Sequence, residues 1–438
     1  SASLVGSEMC IRDRNMRRAV LLFALTCCIW HAPAQTARED IEKNPLLSAG
    51  KYFAYQAPTT AQTAPPAGYK AFYLSSFARH GSRHLTKEKK YTEPLQILWD
   101  AEKAQMLTPT GEKTLKIATE LYDRAKGRYG ELTEKGARQH RELIQRMFRN
   151  YPEVFADGVH VDARSTYKTR AFLSMAAACV ELKGLNPKLN ITTESSNADL
   201  YYIKYENEAY EQQHLVHMDS VYRMADSIYI HPERILKELF RNADFVQQHI
   251  PDTRKFMADL FELHGISQSY DNQQGLDFLF SQEEAYDMWQ RNNFEWYYEK
   301  GASPLSGGHM YYLEKNLLNN FIETADSVIN HSCKLASLRF GHDTNLAPLA
   351  TLMGLNRLRT ETADWQKIAD TYRTYQIIPM CGNIQMVFYK NAKGNILVKI
   401  LLNEREATLP IKSKTAPYYE WKAVKDYWRN TLNQIALP

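Results

Sequence analysis

Apolar and polar positions alternate along this chain in two distinct ways, and the contrast predicts its architecture. Residues 71–78 (AFYLSSFA) form a short apolar and aromatic run, the pattern of a buried strand. Runs at 159–163 (VHVDA) and 335–341 (LASLRFG) predict two more strands. Those at 384–389 (IQMVFY) and 396–403 (ILVKILLN) predict a hairpin turning around Asn391 to Gly394. Helical spacing of apolar residues predicts helices over 91–106, 111–126, 134–148, 167–185, 345–353 and 418–434. Thr133 stands where an N-cap is needed, while Asn186-Pro187 and Gly354 close two of the helices. Strands alternating with helices predict an α/β core with a mainly parallel sheet, spanning residues 71–195 and 331–438. Residues 196–330 break the pattern with amphipathic helical segments rich in Tyr, Gln and Asn, and are read as an inserted, mostly helical cap.

The start of the chain is read separately. Residues 1–15 show no hydrophobic period and are expected to be a non-native, adaptor-like extension. From Met16 a secretory signal follows: basic Arg17 and Arg18, an apolar run from Ala19 to Trp30, and small residues before cleavage after Ala34. The run is shorter than the roughly twenty residues of a membrane span. The expected location is therefore periplasmic or secreted, with lipoprotein anchoring through Cys27 or Cys28 disfavoured by the residues before them. Residues 35–70, rich in Ala, Pro, Thr and Gln, are expected to be an extended lead-in.

Across 438 residues, 44% hydrophobic and 24% charged, the net charge of +4 is too mild for a nucleic-acid surface. Beyond the signal, Cys179, Cys333 and Cys381 leave room for at most one bridge and read otherwise as small buried apolar residues. Their spacing offers no zinc site, and no cofactor or metal is expected.

Catalysis in sheets of this kind sits at the carboxyl ends of strands, and two loops there carry chemistry. The first is Arg79-His80-Gly81-Ser82-Arg83. A neutral imidazole is a competent nucleophile at phosphorus, and flanking guanidinium forks can grip phosphate oxygens. Gly81 lets the backbone approach closely. The second is Gly341-His342-Asp343-Thr344-Asn345, where His342 can donate to a phosphate oxygen and Asp343 can protonate a leaving group. A third loop, from Arg164 to Arg170, offers Arg170 to complete the clamp; Arg164 fits a surface salt bridge as well as a ligand contact. Any one of these motifs alone is weak, and their conjunction after successive strands is the signal.

Together RHGSR and GHDTN resemble the histidine acid phosphatases, and the similarity runs from about Gly68 to the C-terminus. It takes in LTEKGARQH at 132–140 and RST…R at 164–170. RHGSRHLTK is closest in form to bacterial phytases, and the tail to bacterial relatives of multiple inositol polyphosphate phosphatases. The resemblance implies a three-layer, phosphoglycerate-mutase-like α/β core with a helical cap. It implies a phosphohistidine at His80, phosphate held by Arg79, Arg83, Arg170 and His342, and Asp343 as the acid. Thr86 and Lys87, with Arg164, would meet the rest of the substrate. The implied partner is a small phosphate ester, inositol polyphosphates first, with a broad acid phosphatase or sugar phosphatase as the alternative. Lys204, Lys237 and Arg241 are basic cap candidates that also suit solvated surface. An acidic pH optimum is expected, since Asp343 must carry a proton.

Overall fold

The computed structural model describes residues 36–437, so the expectations for the extension and the signal lie outside the described residues. One sheet organises the rest: β1 (Lys70–Arg79), β2 (His160–Ser165), β3 (Asn190–Glu194), β4 (Leu335–Gly341), β5 (Asn383–Lys390), β6 (Ile396–Leu402), β7 (Arg405–Glu406) and β8 (Tyr418–Glu420). Its order is β3-β2-β4-β1-β5-β6-β7, with β8 also paired to β6. The β3-β2-β4-β1 half is parallel and the β5 to β8 half antiparallel. This is the expected α/β class. The strand β3 was not anticipated, because its NITTE sequence has little apolar content and it occupies an exposed edge.

Strand alternation sends Tyr73 and Phe77 to one face and Leu74 and Ala78 to the other, so β1 is buried on both. Helices Lys315–His331, Asp343–Met353 and Trp421–Asn433 cover the first face. Helices Glu134–Asn150 and Thr169–Leu185 cover the second. Among the described residues, the stretch between Glu194 and Leu335 contains helices and no strand. Several of its helices pack with Lys89–Lys103 and Pro109–Ala125 around Leu95, Leu239 and Leu260.

The lead-in departs from expectation. Residues Ala37–Lys43 are α-helical and Pro45–Tyr52 form 3-10 turns. A reciprocal capping box between Thr36 and Glu39 starts the helix, and Ala37 and Ile41 bury its inner side. The extended reading describes only the Pro- and Thr-rich part that follows. Cys179, Cys333 and Cys381 are all free thiols, the first and last buried.

Register fixes where the chemistry gathers. Arg79 pairs with Gly341 at the ends of β1 and β4, and Ser165 at the end of β2 pairs with Phe340. The residues that follow, His80, His342 and Thr166, therefore leave the sheet side by side.

Candidate active site

His80 is buried, and its backbone is held from both sides. Its N–H donates to the Gly341 carbonyl at 2.9 Å and its carbonyl accepts from Cys381 N–H at 3.0 Å. The ring Nδ1 lies 2.9 Å from the Gly81 carbonyl. A carbonyl only accepts, so Nδ1 carries the hydrogen and Nε2 keeps a free lone pair. Burial, then the charges of Arg79, Arg170 and Arg83, hold the imidazole's pKa well below its ordinary value. It is neutral across the working range.

A side chain at Gly81 would strike the helix Glu134–Asn150. A Cβ there would stand 2.3 Å from the Gly136 carbonyl oxygen, and one on Gly136 would stand 2.2 Å from the Ser82 carbonyl oxygen. The loop and the helix Glu134–Asn150 thus cross glycine on glycine. That helix clamps the loop further. Thr133 caps it and donates to Ser82 O at 3.0 Å, Gln139 accepts from Ser82 N–H at 2.8 Å, and His140 Nε2 lies 3.2 Å from the Arg79 carbonyl.

Three guanidiniums converge. Arg79, fully buried, donates to the carbonyls of Lys51 and Ile378 at 2.6 and 2.5 Å. Its Nη2 meets Asp343 Oδ2 at 2.6 Å, an ion pair too bent for a linear hydrogen bond. Arg83 donates to the His84 carbonyl at 2.9 Å and lies over the Tyr52 ring. Arg170 approaches His342 Nδ1 at 3.5 Å. The Nε atoms of all three have no hydrogen-bond partner among the described residues. Burial first, and then mutual repulsion, bring the pKa of Arg170 down to about 10; burial brings that of Arg79 to about 10 against the pull of Asp343. Three guanidiniums against one carboxylate leave a surplus of positive charge, an arrangement that suits an anion.

His342 lies edge-on to His80 with ring centroids 5.6 Å apart, and its Nε2 is 2.9 Å from the Thr166 hydroxyl. Burial and Arg170 push its pKa down to about 3, leaving it neutral. Asp343 opens the helix Asp343–Met353 and accepts from Thr344 N–H at 3.0 Å. Burial raises its pKa, but Arg79, Arg83 and Lys51 together override this and hold it well below the usual carboxylate range. Before substrate arrives it is ionised, which the sequence did not foretell.

Thr86 and Lys87 are exposed; Thr86 and Arg170 both approach Gly130. Arg164 is not brought to the cluster. It is engaged by Asp162 at 3.1 Å and by Glu194 and Asp199 at 2.9 Å each. Of the cap cations, Lys204 acts on His342 through its charge while paired with Glu206 at 2.5 Å. Lys237 is exposed, and Arg241 donates to the Leu107 carbonyl at 2.5 Å.

The comparisons with known proteins bear on this geometry. A family profile, the histidine phosphatase superfamily (branch 2), matches residues 74–403. The chain belongs to that family. No curated protein sequence matches the chain. Among solved structures, the Bifidobacterium longum multiple inositol polyphosphate phosphatase in complex with inositol hexasulfate superposes with a TM-score of 0.72 at 20% identity, over 87% of this chain and 97% of that one. The phytase from D. castellii gives 0.66 at 16% identity, covering 92% and 89%. The Hafnia alvei phytase in complex with myo-inositol hexakis sulphate gives 0.51 at 14%, covering 85% and 100%. At such identities the likeness speaks for the fold.

Within this branch 2 histidine phosphatase, several site residues carried no readable signal. Lys51 and Tyr52 come from the lead-in, whose composition reads as featureless. Thr166 and Ser174, which accepts from Gly81 N–H at 3.2 Å, are ordinary hydroxyl residues on the loop and helix after β2. The Thr133, Gly136, Gln139 and His140 set was visible only as a stretch of family likeness, not as a clamp.

Proposed function

We propose that this chain hydrolyses phosphate monoesters through a phosphohistidine on His80, with inositol polyphosphates as its substrates. The observation that carries the reading is the state of His80: neutral, tied through Nδ1, its Nε2 lone pair free among three guanidiniums. Nε2 bonds to phosphorus as the bond from phosphorus to the leaving oxygen breaks. Arg79, Arg83, Arg170 and His342 hold the non-bridging oxygens, whose charge grows in the transition state. The leaving oxygen takes a proton from Asp343. Water then attacks phosphorus, the phosphorus–nitrogen bond breaks, and the Asp343 carboxylate accepts the water's proton.

Asp343 is ionised before binding, so its proton arrives with the substrate. A phosphate monoanion brings one into the site, and its second proton is lost near pH 6 (about, as for phosphoserine). This supports an acidic optimum. Thr86 and Lys87, exposed beyond the clamp, would meet neighbouring phosphates of the ring.

The substrate reading is supported by family membership and by solved relatives named as phytases or inositol polyphosphate phosphatases. Phosphate release from phytate and from glucose 1-phosphate tests it. Faster turnover of phytate is expected, and turnover of the sugar ester alone would make this a sugar phosphatase. Acid-labile phosphate trapped on His80 during turnover is the expected intermediate; its absence under rapid quench overturns the mechanism. Export with cleavage after Ala34 is proposed from the signal-like sequence, and N-terminal sequencing of the mature protein, expected to begin at Gln35, checks it.

A further inference from the structure

Behind the catalytic loop lies a second cavity, of about 230 Å³, which none of the phosphate-gripping side chains lines. It is smaller than the ~300 Å³ at which pockets for drug-sized ligands begin. His84, one residue beyond Arg83 and 2% exposed, forms part of its wall. Tyr270 orients that imidazole: its hydroxyl stands 2.9 Å from His84 Nδ1. With the phenol as donor, its proton goes to Nδ1. Nδ1 is thus the acceptor, and Nε2 carries N–H.

That Nε2 has no hydrogen-bond partner among the described residues, and neither has the Oγ of Ser269, which is fully buried in the same wall. Buried donors without partners are costly and call for a ligand. Arg124, Arg128 and Lys135 add positive charge to the lining. Arg124 forms no ion pair among the described residues and lies 5.7 Å from the Tyr270 ring centroid. Lys135 donates to the Gln268 carbonyl at 2.7 Å. The acids nearby are largely committed: Arg138 holds both oxygens of Asp271 at 2.8 Å, and Arg128 pairs with Glu131 at 3.4 Å, leaving Glu134.

We propose that this cavity is a second oxyanion site, taking a phosphate-type tetrahedral anion on His84 Nε2–H, Ser269 Oγ and Arg124. It is coupled to catalysis through the chain itself. The His84 carbonyl accepts from Arg83 Nη1, and Thr133 bridges the Ser82 and Ser269 carbonyls. An anion here therefore pulls on the residues that set Arg83. The anion is either free phosphate, the product of the reaction, or a phosphate group borne by an ester.

Calorimetric titration of the full chain with inorganic phosphate tests the proposal independently of the catalytic reading. Two sites are expected. Arg170→Ala should remove one; Arg124→Gln and Lys135→Gln should each weaken the other at least about tenfold, with the melting temperature reporting that the variants fold. A single site, unaffected by Arg124→Gln and Lys135→Gln, overturns the second site. Loss of both sites in Arg170→Ala overturns it as well. Titration with inositol hexasulfate separates the sources. One site for the sulfate ester against two for phosphate assigns the cavity to free ions, and two for both assigns it to ester-borne groups.

Discussion

Two arginine clusters stand on the parallel half of this sheet, and their charge ratios are opposite. At the ends of β1 and β4, Arg79, Arg83 and Arg170 face one carboxylate, Asp343. On β2, a single Arg164 faces Asp162, Glu194 and Asp199. Burial lowers the pKa of Arg79 against the pull of Asp343, and burial with repulsion from Arg83 and Arg79 lowers that of Arg170. Asp162 and Asp199 instead overcome burial and raise that of Arg164. The direction separates the two roles. Cations in surplus store repulsion that an incoming anion relieves, whereas a cation among excess acids is already satisfied and holds structure.

The contrast can be broken by substitution. The largest effect is expected at the proposed nucleophile: His80→Ala should lower kcat by about 10⁴-fold or more, read as phosphate release. Asp343→Asn should slow alkyl esters by about 10³-fold and aryl esters, whose leaving groups need little protonation, far less. Equal losses would remove Asp343 from the role of acid. Arg170→Ala should lower kcat/KM by about 10²–10³-fold, as removal of a preorganised charge at a developing anion does. The same change should leave the melting temperature unchanged or raised, because it relieves repulsion from Arg83 and Arg79. Arg164→Ala is the mirror image. It should destabilise by about 1 kcal/mol, a partly exposed network being screened, and leave turnover within about twofold. If Arg164→Ala damages turnover as Arg170→Ala does, the charge-ratio argument fails.

Acidity sharpens the comparison further. His80, His140 and His342 are buried and resist protonation, with pKa values driven well down, to about 4 for His140 and about 3 for His342. The unfolded chain takes up these protons below about pH 6.5, so it binds more protons than the folded state and stability falls as pH falls. Each histidine contributes up to ~1.4 kcal/mol per pH unit in that window. Urea unfolding between pH 7 and 5 should therefore show a steady loss on the acid side, even as turnover rises. His140→Phe, outside the phosphate clamp, should flatten the slope.

Much of this protein is legible in its residues. The strands β1, β2, β4, β5 and β6 and most helices of the core follow from period alone, because burial imposes apolar spacing. His80, Asp343 and the candidate clamp arginines stand out because they lie where strands end. Arg164 and Arg170 show the limit: they flank the same short connection between β2 and a helix and share one residue type, so their positions in the sequence do not tell them apart. Glu194 and Asp199, distant in the fold's wiring until β3 joins β2, decide for Arg164. Lys51 and Tyr52 reach the site from a lead-in of bland composition for the same reason.

The α/β class and the two His-bearing loops follow from local period and residue type, and so does the chemistry proposed for them. The assembled fold settles which cations are in surplus, that Asp343 starts ionised, and that a side chain at Gly81 would strike Gly136. Charge balance and close approach are sums over neighbours brought together from far along the chain, and no local stretch contains them.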